Sequence, residues 1–509
     1  KSKQSLQCKI PSEKFYGEFT FFYESLVVAA GGFFYNRRCQ LMRKKTKTKS
    51  EEKQMKKLIS LVLAGIMTFS LAACGQNATD NQTTAQNAQT TQSNEAQAAA
   101  AADSTQSTAE PMELTMYFPV SVGGGPDALI DALCAQYHEE NPNITIKPVY
   151  AGSYADTRTK VQAAIKGGNT PDLAIMFSID LYSLLAMDAI ADINSFCTTD
   201  ADKEWLNGFY EGFMMNSRDG ETTYGIPWQR STIVLYYNKD AFREAGLDPE
   251  KAPSTWEEMK EYAKQLTKAD GSRYGIEIPS DGYAYWMLQT FCTQQSGFNL
   301  MNDTGTEVYY NDDRTAKGLS FWKSLAEDGS MPSGIVAWAT TPSDFIEGKT
   351  AMMYHTTGNL TNVKKNAAFD FGVAMLPADE TPGSPTGGGN FYIFKGVSPE
   401  RQQAAFEFIK WMTDDERVAQ WSIDTGYVAT RPSAYKTERM KAYAEEFPYC
   451  LVARDQLEYG YAELSTYNQA EVQKAIDDAI SYVMTDQKDV KSALDEAQTT
   501  AENILKAYK

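Results

Sequence analysis

Leu114-Thr-Met-Tyr-Phe118, Ile144-Thr-Ile-Lys-Pro-Val149 and Leu173-Ala-Ile-Met-Phe177 are three short apolar runs, and what separates them decides the fold. After the first, Gly123-Gly-Gly125 turns the chain and Pro126 opens a helical stretch with apolar positions at Leu129, Leu133 and Tyr137. Proline at the first helical position, with glycine before it, is the chemistry of a helix start. After the second run, Tyr154 to Ile165 carries the next helical pattern. Strand, helix, strand, helix, strand predicts parallel pairing with helices on the sheet faces, an α/β fold. Ligands in such sheets sit beyond the carboxyl ends of the strands. The loops at Gly123–Gly125, Ala151–Tyr154 and Ser178–Asp180 are therefore the first places to look for a site.

Upstream, Met55-Lys56-Lys57 precedes an uncharged apolar run from Leu58 to Leu71, and Leu71-Ala72-Ala73-Cys74 closes it. The run is short for a bilayer span, and its basic start and small-residue ending are those of a secretory signal. The ending resembles a bacterial lipobox, which would make Cys74 a lipid-modified N-terminus and hold the protein outside the cytoplasm on the cell membrane. Residues 55–74 are thus expected to be a signal peptide, and 1–54 a non-native upstream extension absent from the mature protein. Residues 75–110 are Gln, Asn, Ala, Thr and Ser with almost no large apolar side chains, so they should form a disordered polar tether. That leaves 111–509 to fold, too long for a single ordinary core and enough for two lobes.

The chain has 48 basic and 66 acidic residues. Twelve basic and five acidic ones precede Met55, so removing them with Lys56 and Lys57 leaves 34 and 61, a net charge of −27. Such a surface repels phosphate polymers and excludes nucleic acid as a partner. Cys134, Cys197, Cys292 and Cys450 are widely spaced, include no Cys-x-x-Cys, and are read as buried free thiols. The second half continues the alternation. Ser254-Thr255-Trp256-Glu257-Glu258 has a capping-box arrangement, and Phe345 to Tyr354 turns into a strand. Thr356-Thr357-Gly358-Asn359 opens a helix, Ala404–Met412 and Val472–Val483 are amphipathic, and Val490–Tyr508 is a polar C-terminal helix.

Catalytic motifs are missing. The sequence has no His-Glu-x-x-His and no Gly-x-Ser-x-Gly, and its two histidines are His138 and His355. Gly348-Lys349-Thr350 lacks the glycine-started loop of a phosphate-binding NTPase and reads as a turn. No catalytic residue, metal or cofactor is expected. Asp and Glu are nevertheless abundant enough to supply the paired carboxylates of an exported glycan-active hydrolase, the reading from another class.

One long motif is more specific. Ile226-Pro-Trp-Gln-Arg-Ser-Thr-Ile-Val-Leu-Tyr-Tyr-Asn-Lys-Asp-Ala-Phe242 continues into Ala245-Gly-Leu-Asp-Pro249 and Pro253-Ser-Thr-Trp-Glu-Glu258. With Phe345-x-x-Gly-Lys-x-Ala-Met352, Phe408-Ile-x-Trp-Met412 and Thr425-Gly-Tyr427, it resembles the extracellular solute-binding proteins of carbohydrate ABC importers. Within them it is most similar to the glycerol-3-phosphate-binding branch. The resemblance covers 111–509. It implies a two-lobe periplasmic-binding-protein-like fold with discontinuous lobes, hinge strands and an interlobe ligand cleft. Lobe one would be about 111–229 and 395–426, and lobe two about 230–394 and 427–509. Crossings are expected at Ile233–Tyr237, at Phe391–Phe394 and after Tyr427. The protein would be a monomer, no enzyme, that passes a captured solute to ABC permease subunits.

By matching positions, Tyr154, Ser231, Thr356, Gly388 and Tyr427 fall where that branch contacts its ligand. Thr356, Thr357 and Gly358 stand at an expected helix start, whose free backbone N–H groups favour an oxygen-rich ligand. Gly387-Gly-Gly389 lets backbone approach closely. Two departures bear on the ligand. Ser178 replaces an acidic residue after the third strand. Tyr461-Ala-Glu-Leu-Ser-Thr-Tyr-Asn468 replaces a Gly-Leu-Arg-Leu-Gly loop and has no arginine. Arginine suits phosphate because its planar fork binds two oxygens at once, so its loss argues against glycerol 3-phosphate or a related polyol phosphate. Arg230, where the branch has serine, is the candidate replacement. Asp281-Gly-Tyr-Ala-Tyr-Trp286, including Tyr285 and Trp286, and also Trp228, offer rings and a carboxylate for a sugar, mono- or oligosaccharide. Trp338 and Trp421 are weaker candidates, and Trp256 and Trp411 are expected in the core.

Overall fold

The first three apolar runs become the parallel strands β1 (Met112–Phe118), β2 (Ile144–Tyr150) and β3 (Leu173–Phe177), with β1 between the other two. The computed structural model describes residues 110–119 and 126–509. The expected extension, signal peptide with Cys74, most of the tether and the Gly123–Gly125 loop lie outside the described residues. Helices Pro126–Glu140 and Tyr154–Lys166 connect the strands. On β1 the alternate residues Leu114, Met116 and Phe118 are buried, whereas β3 is buried throughout, as expected of a strand covered on both faces.

A two-stranded hairpin, β4 (Arg218–Asp219) and β5 (Thr222–Thr223), precedes the long motif, which forms a 14-residue buried strand, β6 (Gly225–Asn238). The remaining strands are β7 (Met352–Thr356), β8 (Phe371–Ala374), β9 (Ser384–Ile393) and β10 (Gly460–Tyr461). The main sheet runs β2-β1-β3-β9-β6-β7, with β8 beside β6 and β10 beside β9. β9 is antiparallel to both β3 and β6.

The two lobes are joined where β6 and β9 change partners. Gly225–Thr232 of β6 pairs with β9, and Ile233–Asn238 pairs with β7 and β8. β9 runs from Ser384, beside β10, to Gly389–Ile393, beside β3. The exchange thus falls at Arg230–Ile233 and Thr386–Gly389. Ile233–Tyr237 lies just beyond it on one side, and Phe391 and Ile393 just beyond it on the other. Val428 bridges back to Arg230, so the stretch after Tyr427 touches β6 at the same level.

Separate cores flank this crossing. Leu114, Met116, Ile130, Phe408, Val418 and Trp421 pack in one. Ile233, Trp256, Phe291, Trp322, Ile476 and Leu494 pack in the other. Trp256 is a core residue, and Trp411 is packed at the edge of the first core. The helix at Trp256 is capped by Thr255, whose side chain accepts from the Glu258 N–H, while Glu258 receives the Ser254 N–H and hydroxyl. Thr357–Asn359 is a tight turn that leads into helix Leu360–Asn366. Cys134, Cys197 and Cys292 are free and buried, and Cys450 is free and half-buried.

Candidate functional site

The crossing concentrates polar groups that ordinary core packing leaves out. From helix Tyr154–Lys166, fixed at its start by a reciprocal Ser153–Asp156 capping box, Tyr154 stacks on Phe177 at 4.7 Å. Its hydroxyl donates to Gln229 Oε1 at 3.1 Å. Burial pushes the Tyr154 phenol well above its ordinary range, with Tyr427 and Tyr283 adding to the effect, so all three hydroxyls share one neighbourhood. Tyr427 also lies against Gly358, beside Thr356.

Arg230 is fully buried on β6. It donates to Asn390 Oδ1 at 3.1 Å and Thr386 Oγ1 at 2.9 Å, its Nε has no partner, and it lies over the Phe213 ring. Burial lowers its pKa to about 10, against the opposing pull of Glu463. Opposite it in the sheet, Gly388 has φ +96, and a Cβ there would stand 1.8 Å from the Gln229 carbonyl oxygen. Only glycine fits this irregular place, where β6 bulges between Pro227 and Gln229. Ser231 pairs with Gly387, and the Trp286 ring covers Gly387 while its indole N–H donates to the Pro385 carbonyl at 3.2 Å.

Two carboxylates absent from the sequence reading complete the cluster. Glu463 is completely buried, receives the Tyr285 hydroxyl at 2.6 Å on Oε1, and has no partner on Oε2. Asn216 holds its backbone from both sides. Burial raises the Glu463 carboxyl to about 8, although Tyr285 and Arg230 pull the other way. Asp180, in the turn after β3, pairs with Arg158 at 3.0 Å through one oxygen and leaves Oδ2 unpartnered. Burial raises it to about 6 despite Arg158. Ser178 Oγ, Gln229 Nε2 and Thr357 Oγ1 are likewise buried without partners. Buried polar atoms are normally hydrogen-bonded, and six of those left open among the described residues, counting Arg230 Nε, belong to these residues around the crossing.

Tyr154, Ser178, Arg230, Ser231, Tyr285, Trp286, Thr356, Gly388 and Tyr427 all lie at or beside this crossing. Thr356 Oγ1 is already engaged, accepting from the Gly358 N–H at 3.1 Å. Two candidates stand elsewhere. Trp228 is in the first core between Phe391 and Trp421, because neighbouring residues of a strand face opposite sides. Asp281 is exposed, and its carboxylate accepts the Trp338 N–H at 2.6 Å, tying together two loops far apart in the sequence. Asp180 and Glu463 were missed for different reasons. Asp180 sits in the Ser178–Asp180 loop already marked by its place after β3. Glu463 sits in the Tyr461–Asn468 stretch, marked there only for its lack of arginine. Among the described residues, no group of three or more His, Cys, Asp or Glu could hold a metal ion.

Residues 132–448, more than half the chain, match a family profile described as bacterial extracellular solute-binding protein. The chain belongs to that family. This solute-binding protein is 26% identical over 413 residues to the sn-glycerol-3-phosphate-binding periplasmic protein UgpB of Escherichia coli strain K12, covering 77% of this chain and 93% of the relative. Among solved structures, UgpB from Mycobacterium tuberculosis in complex with glycerophosphocholine superposes with a TM-score of 0.68 at 23% identity, over 79% of this chain and 99% of that one. The cyclic alpha-maltosyl-1,6-maltose binding protein from Arthrobacter globiformis gives 0.67 at 22%, over 78% and 100%. These likenesses carry the two-lobe fold. Among the described residues, no helix of this solute-binding protein is long and apolar enough to cross a membrane.

Proposed function

We propose that this protein captures a neutral sugar, mono- or oligosaccharide, in the cleft at the strand crossing and delivers it to the permease of an ABC importer. Tyr154, Ser178, Arg230, Ser231, Tyr285, Trp286, Thr356, Gly388 and Tyr427 would line the cleft, joined by Asp180 and Glu463. Glu463 carries the sugar reading. A buried carboxyl with one open oxygen can share a hydrogen bond with a sugar hydroxyl whether or not it holds its proton, whereas it offers a phosphate dianion no positive charge and, once ionised, adds repulsion in a low-dielectric place. Asp180 repeats the pattern. The rings of Tyr154, Tyr283 and Trp286 supply apolar faces for sugar C–H groups. Names of similar proteins point the same way: one neighbour is a cyclic maltosyl-maltose binder and another, from Thermotoga maritima, is maltose-bound.

The second reading, glycerol 3-phosphate or a related polyol phosphate, has Arg230 in its favour. Its guanidinium bonds two neutral side chains and keeps Nε open, and the curated relatives bind sn-glycerol 3-phosphate. A thermal-shift panel on the purified protein separates the two. Sugars that bind the folded state raise its melting temperature, by about 2.7 kcal/mol of added stability at a hundred times Kd. A rise with sn-glycerol 3-phosphate and none with sugars would contradict the proposal.

We further propose lobe limits near 229/230 and 394/395, the first of which the change of strand partners in β6 supports, and a lipid anchor on Cys74. Cys74→Ala should then move the protein out of the membrane fraction. Equal retention of the variant, with normal processing, would remove the anchor from the account.

A further inference from the structure

A cavity of about 400 Å³ is lined by Trp338, whose ring also contacts Tyr283 and Trp286 of the proposed cleft. On the cleft side the Trp338 ring meets Tyr283 edge-on at 4.6 Å and stands 6.2 Å from Trp286. On the cavity side it packs against the His355 imidazole, with ring centroids 3.8 Å apart. His355 Nε2 lies 3.2 Å from the Trp338 carbonyl, which can only accept, so that nitrogen carries the proton. Nδ1 then accepts from Asn359 Nδ2 at 2.6 Å. Burial lowers the His355 pKa to about 3, so the imidazole is an uncharged prop for the ring.

From His355 a row of amides runs outward along the wall of the cavity. Asn362 Nδ2 faces Asn359 Oδ1 at 3.5 Å, and Asn366 Nδ2 donates to Asn362 Oδ1 at 2.8 Å. Asn359 and Asn362 each spend one N–H on the inner neighbour and keep a second for something else, whereas Asn366 Nδ2 donates to both the carbonyl and Oδ1 of Asn362, at 2.9 and 2.8 Å. Ser343 adds a hydroxyl, and the carboxylate on the rim, Glu347, is paired with Lys349 at 2.7 Å. The lining is therefore an aromatic base with neutral donor–acceptor pairs, and its volume falls in the roughly 300–1,000 Å³ range of small-ligand sites. Adjacent hydroxyls of a pyranose, one donating and one accepting, match the two ends of an amide.

We propose that this cavity is an outer subsite that takes the further units of an oligosaccharide whose first units lie in the cleft, an inference that rests on the sugar reading of the cleft. Maltose and mannobiose, each with its tri- and tetrasaccharide homologues, are the probes, titrated calorimetrically into the purified protein. In at least one series the longer members bind about tenfold more tightly than the disaccharide, the gain of one or two good contacts. Trp338→Ala and, independently, the helix-surface change Asn362→Ala each reduce that ratio by about five- to tenfold. Melting curves identify any variant that has not folded. Sugar binding with no length preference, or equal losses for short and long sugars in both folded variants, overturns the outer subsite alone. Binding of sn-glycerol 3-phosphate in place of both series overturns the cleft reading and the subsite with it.

Discussion

Glu463 lies close enough to Arg230 to feel its charge, yet burial outweighs the attraction and its carboxyl titrates at about 8. The consequence is a pH dependence of known sign. A carboxyl whose folded pKa exceeds its ordinary 4.5 holds its proton in the native state after the unfolded chain has released it. Stability is therefore lost as pH rises toward 8. Asp180 and Asp477, each raised to about 6 by burial, contribute lower in the range, and Glu277, raised to about 7, in the middle. His355 acts oppositely but only below its ordinary 6.5. Between about pH 6.5 and 8.5 the ligand-free protein should lose melting temperature, and Glu463→Gln, neutral at every pH and still able to accept from Tyr285, should flatten most of that slope. An unchanged slope in the variant would show that Glu463 is ionised when the cleft is empty.

At the scale of elements, legibility followed locality. β1 to β3 and their helices were readable because each is an uninterrupted apolar run or a helical period beside glycine or proline. Strand β6 is readable as a long apolar motif, but where along it the partners change is not. A strand's sequence says how buried it is, while its exchange of partners from β9 to β7 depends on chain more than a hundred residues away. Trp228 shows the same limit at one position. Its burial was evident, but the side of the sheet it faces depends on register, and the bulge between Pro227 and Gln229 helps set that register. Asp281 has aromatic neighbours in sequence, and its carboxylate holds the backbone N–H of Trp338 from a distant loop. Gly388 was marked for close backbone approach, and the structure gives the reason in its positive φ and the Gln229 carbonyl at its back. Glu463 had no local signal, since Tyr285 and Arg230, which define its surroundings, come from other parts of the chain.

Taken whole, the molecule joins its lobes by more than the strands. Tyr182 donates to the Asp303 carbonyl at 2.7 Å, Ser465 donates to the Ile179 carbonyl at 2.9 Å, and the Gln469 N–H reaches Ser183 at 3.3 Å. These bonds bring the turn after β3 against the loops of the second core, closing over Ser178 and Asp180. The chain as a whole carries a formal charge of −18. A neutral sugar entering the cleft is indifferent to that field, whereas a phosphate dianion must cross it and then depend on Arg230. The decisive measurement is a calorimetric titration of sugars and sn-glycerol 3-phosphate between about 0.01 and 0.15 M ionic strength, over which the screening length falls from about 30 to 8 Å. The account predicts sugar affinity that changes less than about twofold across that range. Tight, salt-sensitive binding of glycerol 3-phosphate that is lost in Arg230→Ala would contradict it.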